Sequence, residues 1–197
     1  MSIQKTLNER IQAWNLLSHP FYQAWESGDL PVEALQTYAA EYGAFIHHIP
    51  AGWEVQGDAE TTQEEHEHAE LWDAFAAGLA TRVGEAKLPA TAELIATAKR
   101  LFAKPATALG ALYAFEVQQP ATAKSKLEGL RAHYSLPATV EPYFEVHSHN
   151  EHEAEKLLAR MAVLSVEEQA EAAEACEQMA TALWNALTDI YDTHCEM

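Results

Sequence analysis

Thiols are nearly absent from this chain: among 197 residues only Cys176 and Cys195 are cysteine. They fall in one helix-like stretch, about 28 Å apart at 1.5 Å per residue, so no intrachain disulfide is expected. Basic residues are also scarce, 12 Lys and Arg against 30 Asp and Glu, giving a net charge of −18. A phosphate backbone or an anionic membrane surface requires clustered Lys and Arg, which argues against nucleic acid and acidic lipid as partners. No apolar run approaches the roughly 20 residues of a membrane span, and Met1–Thr6 lacks the apolar core of a signal peptide. A cytoplasmic protein is expected. Glycine and proline number 8 each, and no alternating Val/Ile/Thr run appears, so strands are not expected.

What the chain does contain is Ala, Leu, Glu and Gln in helical periodicity, with 48% hydrophobic and 21% charged residues. That balance predicts an all-α fold burying one core, a single domain over 1–197. Helices are expected over Leu7–Leu17 and over Phe21–Trp25, with a long one opened by Pro31 and ended or kinked at Pro50. Further helices are expected over Glu60–Leu79, Thr91–Phe102, Pro105–Gln118 and Ala121–Tyr134. The next is expected to run unbroken from a cap at Thr139 to about Leu164. Ser165-x-x-Glu168 reads as a capping box for the last.

Histidine is abundant, with 10 residues, and helix-face arithmetic at about 100° per residue separates inward from outward ones. His68 shares a face with Leu71, Trp72, Phe75 and Leu79, Glu65 flanks it, and His66 points nearly opposite. Glu116 is the lone acidic residue between Glu93 and Glu128, on the face of Leu109, Leu112 and Tyr113. A carboxylate there costs several kcal/mol unless it is paired, bonded or protonated. On the stripe of Val140, Tyr143, Phe144, Ala154, Leu158 and Met161 lie His147 and Glu151, one turn apart. Asn150 sits at the stripe's edge. The alternative register, His149-x-x-His152, is outward. Glu65, His68, Glu116, His147 and Glu151 therefore form a candidate metal-ligand set, three carboxylates and two imidazoles. Oxygen and nitrogen donors without thiolate favour Fe or Mn.

The chain also carries His19-Pro20-Phe21-Tyr22-x-x-Trp25, Gly28-x-Leu30-Pro31-x-x-x-Leu35, Tyr113-Ala114-x-Glu116-x-Gln118-x-Pro120, Lys126-x-x-Gly129-Leu130-x-x-x-Tyr134, Tyr143-Phe144-x-x-His147 and Leu183-Trp184-x-x-Leu187-x-x-x-Tyr191. In these segments, spread over nearly the whole length, it resembles the heme-oxygenase-like superfamily. The branch is that of TenA, pyrroloquinoline-quinone synthase and the chlamydial death-domain-associating protein with its di-iron oxidase relatives. The resemblance implies a helical bundle, a homodimer, and one or two iron ions activating dioxygen toward a small organic substrate. By position the ligands would be Glu65, His68, Glu116, His147 and Glu151, the last where the family usually has Asp. The family's final His falls on Ala154, which cannot ligate. Tyr42, Tyr113 and Asn150 are the expected substrate-contacting residues.

Two other functions stay open. One is a metal-free or degenerate small-molecule binder that kept the pocket, including a cofactor-free quinone-synthase mode using Tyr42, His47 and His48, although both histidines lie off the apolar stripe. The other is a TenA-type thiamin-pyrimidine hydrolase, which needs a mid-chain nucleophilic Cys. None precedes Cys176, which shares a face with Met179, Leu183 and Leu187 as a small hydrophobe would.

Overall fold

The computed structural model describes residues 2–150 and 152–195. Its elements are α1 (Ile3–Ile11), two 3-10 turns (Gln12–Trp14 and Leu16–Ser18), α2 (Pro20–Ser27), α3 (Val32–Ile46), α4 (Ile49–Val55) and α5 (Ala59–Gly78). After these come α6 (Pro89–Leu101), α7 (Pro105–Glu116), α8 (Gln119–His133), a 3-10 turn (Ala138–Val140), α9 (Pro142–His147), α10 (His152–Met161) and α11 (Val166–Cys195). The described residues contain no strand, as the composition predicts.

Local chemistry sets the boundaries. The His19 imidazole accepts from the Phe21 amide at 3.0 Å and so caps α2, which Gly28 ends at φ 78°, a left-handed conformation open to glycine. Pro31 precedes α3, while Pro50 sits in the first turn of the separate short helix α4. The Ser165 capping box is formed reciprocally, Glu168 N to Ser165 Oγ at 3.2 Å and Ser165 N to Glu168 Oε2 at 2.9 Å.

The central axis is α7, whose sequence PATALGALYAFE is almost wholly apolar and buries ten residues. It lies along α11, and Gly110 is what lets them approach: a Cβ there would meet the Ala172 carbonyl oxygen at 1.8 Å. Around this pair, α3, α5, α8 and α9 enclose a continuous aromatic layer. Trp72 packs on Tyr143 at 4.7 Å and on Phe75 at 5.3 Å, and Phe144 packs on Phe75 at 5.0 Å. The Trp72 indole donates to Ala39 O at 2.9 Å, tying α5 to α3.

The helix expected to run from Thr139 to about Leu164 is instead broken in two. After Ser148 N to Phe144 O at 2.9 Å the ladder tightens to i−3 bonds, His149 N to Val146 O at 3.4 Å and Asn150 N to His147 O at 3.3 Å. Ser148, His149 and Asn150 are poor helix formers whose polar groups compete for backbone partners, and the Ser148 hydroxyl already takes the Glu145 carbonyl at 2.8 Å. The restarted α10 is pinned to the start of α5, where Asp58 Oδ2 accepts from Arg160 at 2.7 Å and lies 3.2 Å from Lys156.

Gly110→Ala is expected to cost about 3 kcal/mol or more, because the new methyl meets backbone that can move only by parting two core helices. Gly84→Ala, with open space around it, should change stability by less than about 1 kcal/mol. Urea unfolding of both variants checks the contrast, and equal stabilities would contradict the close approach.

Candidate metal centre

Helix α5 is polar along most of its length, yet Thr61, Glu65, His68, Ala69, Trp72, Phe75 and Ala76 form one buried face. Glu65 and His68 are 3% and 9% exposed, whereas His66 is exposed, in line with the face arithmetic. The Glu65 carboxylate contacts His68 Nδ1 at 3.1 Å. Burial disfavours the imidazolium, but this bond and the charge of Glu65 outweigh it and hold the His68 pKa above its usual value.

His147 ends α9 and is 1% exposed. Its ring stacks on Tyr143 at 4.1 Å and meets His68 edge-on at 4.4 Å. Nδ1 lies 2.8 Å from the Tyr143 carbonyl. A carbonyl can only accept, so Nδ1 carries the proton and Nε2 presents its lone pair. Nε2 is buried without any partner among the described residues. Burial and then the neighbouring His68 push the His147 pKa down to about 3, so the ring is neutral. One donor atom each from Glu65, His68 and His147 lies within 4.8 Å of the other two.

Glu116, at the end of α7, is 3% exposed, and its Oε1 has no hydrogen-bond partner among the described residues. Burial, followed by the charges of Glu65 and Glu153, holds its pKa well above the carboxylate range. It falls outside the three-residue group but faces a cavity of about 530 Å³ lined also by Tyr113, Lys124, Ala154 and Leu158. Glu151 lies outside the described residues. Of the expected substrate contacts, Tyr42 is buried beside the aromatic layer, stacked on Tyr38 at 5.0 Å. Tyr113 lines the cavity and donates to Asn8 at 3.1 Å, and Asn150 donates its amide to the Glu153 carboxylate. His149 and His152 are exposed, His48 is half-buried, and His47 is exposed and bonded to Asp73. Cys176 is fully buried and burial pushes its thiol up to about 12, which leaves it inert as a nucleophile.

Two inward residues escape the face arithmetic. Glu153 is 1% exposed; an unbroken helix would turn it away, and only the break after His147 brings it inward. Lys126 on α8 is 2% exposed, with Nζ 3.1 Å from the Tyr38 hydroxyl and 3.4 Å from that of Tyr22. It lies 5.0 Å over the Phe144 ring, and its burial lowers the amine pKa to about 7. The same 100° arithmetic applied to α8 would have found it, on the face of Thr122, Ala123, Gly129 and Leu130.

A helical bundle carrying two imidazoles and a carboxylate within ligating reach is the architecture of a non-heme metalloprotein. Residues 36–186 match the family described as iron-containing redox enzyme, and the chain belongs to that family. It is 31% identical to the 4-aminobenzoate synthase of Nitrosomonas europaea, over 98% of this chain and 93% of that one. It is 28% identical to the 4-aminobenzoate synthase of Chlamydia pneumoniae, over 95% and 94%. Among solved structures, a TenA homologue from P. horikoshii OT3 superposes with a TM-score of 0.71 at 15% identity, covering 97% of this chain and 99% of that one. A heme-oxygenase-like domain from Shewanella denitrificans gives 0.76 at 18%, covering 98% and 93%. The expected all-α, heme-oxygenase-like fold is thus found. No helix among the described residues is long and apolar enough to cross a membrane.

Lys126 generates a pH test. Its amine titrates near 7 in the fold and near 10.4 unfolded. Between those values the unfolded chain binds more protons, so stability should rise with pH from about 7 to 10. Lys126→Met is expected to remove that rise and to be more stable than the parent at pH 6, by an amount on the order of a few kcal/mol. Thermal unfolding across pH 6–10 checks it; parallel profiles for the two proteins would contradict a neutral buried amine.

Proposed function

We propose that this chain is an iron-dependent oxidase or oxygenase of a small organic substrate, and that the reaction is one yielding 4-aminobenzoate, the product in the names of its relatives. The observation that carries the metal assignment is the orphaned His147 Nε2, buried beside the Glu65–His68 pair. A lone pair so placed costs stability unless something accepts it. Two His and one carboxylate are the donor set of non-heme Fe(II) oxygenases, so the residues fit iron.

Glu65, His68 and His147 would hold the ion, which supplies dioxygen activation and one-electron chemistry when bound. The Tyr143 carbonyl fixes the tautomer that aims Nε2 inward, and Glu65 fixes the rotation of the His68 ring. Glu116 and Glu151 would complete the ligands of a second ion, for which manganese is an alternative to iron. The aromatic layer excludes water. Lys126 offers a neutral amine beside the Tyr22 and Tyr38 hydroxyls, able to bond a polar group of a bound aromatic acid. A homodimer in a cytoplasmic setting belongs to the same proposal; the resemblance supports the first, and two free thiols with no disulfide support the second.

A second reading, a metal-free binder with the same pocket, draws on Ala154, which lines the cavity reaching Glu116 without offering a ligand atom. One set of measurements separates the two. Protein produced in iron-supplemented medium should contain iron, consume oxygen with Fe(II), and release 4-aminobenzoate detectable by mass spectrometry. His147→Ala should weaken iron binding by at least about tenfold. No bound iron or manganese above trace, with no Fe(II)-dependent oxygen consumption, would overturn the oxidase. If Ala154→His then gained stoichiometric iron, the parent would be the degenerate binder.

A further inference from the structure

Glu153 has a place that neither the three-residue group nor the aromatic enclosure explains. It belongs to the buried face of α10 with Leu157 and Met161, four residues apart, and is as inaccessible as they are. One oxygen, Oε1, accepts from the Asn150 amide and lies 3.5 Å from His152 Nε2; the other, Oε2, is buried with no partner among the described residues. Among the described residues no Lys or Arg pairs with it: the cations nearest along α10, Lys156 and Arg160, are both engaged by Asp58. A carboxylate so enclosed is costly to ionise, with only the Asn150 amide and the exposed His152 ring recorded beside it.

Beside it, Glu64 on α5 and His152 each place a donor atom within 4.8 Å of a Glu153 oxygen and of one another. Together with His68, Val146, His149 and Asn150 these three line a hollow of about 330 Å³ open to solvent. His68 also belongs to the inner group of Glu65 and His147, so the hollow and the inner group meet at one imidazole.

We propose that Glu64, His152 and Glu153 form a second divalent-cation site, at the solvent mouth of the inner centre. Its donors are two carboxylates and one imidazole, which suits a first-row divalent ion such as Mn²⁺ or Fe²⁺. The Glu153 carboxylate is the ligand group buried in advance, with one oxygen still unpartnered among the described residues, Asn150 orients it, and Glu64 and His152 close over the ion from the surface. The site stands apart from the occupancy of Glu65, His68 and His147. It gives ions a stopping point on the side from which His68 is reached.

Anaerobic Mn²⁺ titration of the full chain, followed by EPR and calorimetry, tests this. The parent is expected to bind one ion beyond those held by the inner centre. Glu64→Gln/His152→Gln, at a half-buried and an exposed position, should lose one ion or weaken it by at least about tenfold and leave the others within threefold. Glu153→Gln should do the same. It should also raise the melting temperature of metal-free protein, since it removes a buried charge, while shrinking the rise that Mn²⁺ produces. A merely structural Glu153 would instead lower the metal-free melting temperature and leave every ion bound. His147→Ala should lose an inner ion and keep this one. If the double variant and Glu153→Gln both leave binding unchanged, the outer site is wrong while the inner centre stands. If the parent binds an ion lost only with His147→Ala, the outcome is the same. If the parent binds an ion lost only with the outer variants, the outer site stands and the inner centre is wrong. No Mn²⁺ bound by the parent overturns both.

Discussion

Everything in this molecule is arranged around the cost of keeping carboxylates out of water. Glu65, Glu116 and Glu153 are each 1–3% exposed, and the charges of Glu65 and Glu153 both act on Glu116. Against them the enclosure offers little fixed positive charge: His147 is neutral, Lys126 titrates near 7, and only His68 is biased toward the protonated form. Burying an ion costs several kcal/mol even after relaxation, and a domain of this size has only about 5–15 kcal/mol of net stability. The fold can carry such a cluster in two ways: protonate it, as the raised Glu116 pKa shows for one member, or neutralise it with a cation. The second is what makes a metal centre the economical reading of these residues, because one divalent ion satisfies the orphaned atoms and the charge together.

The scaffold meets the cost by being strongest where the site is weakest. Gly110 lets α7 press against α11 along a face with almost no polar atoms, which fixes the end of α7 and hence Glu116. The Trp72, Phe75, Tyr143 and Phe144 layer sits directly behind His147, lowering the local dielectric so that each charge inside matters more. Asp58 ties α10 to α5 by ion pairs, holding Glu153 on the same side as Glu65 although the helix is interrupted between α9 and α10.

This division decides how much of the molecule is legible in its sequence. Elements whose apolar period is unbroken, α3, α5, α7 and α11, can be placed from spacing alone, and with them Glu65, His68 and Glu116. His147 can be placed too, since the four residues before it are regular helix. Beyond it the periodicity argument assumes a continuous rotation of 100° per residue, and three weak helix formers interrupt that rotation at 148–150. The arithmetic then assigns the wrong face to the residues of α10, which is why it misses Glu153. Lys126 escapes for another reason: α8 is polar overall, and a single Lys within it reads as solvated unless its neighbours on the face are checked one by one.

The break also bears on the ligand that Ala154 fails to supply. A regular helix continuing from His147 would point position 154 toward the centre; with α10 restarted at His152, the residue carried fully inward is 153, and Ala154 is half-buried on the wall of the cavity that reaches Glu116. A histidine at 154 would occupy that wall, whereas alanine leaves it open. The irregularity thus turns the Glu153 carboxylate inward and leaves Ala154 on the wall of the cavity that reaches Glu116. The helix break accounts for Glu153 turning inward and for Ala154 lying half-buried, whereas the missing imidazole is set by the residue at 154 itself.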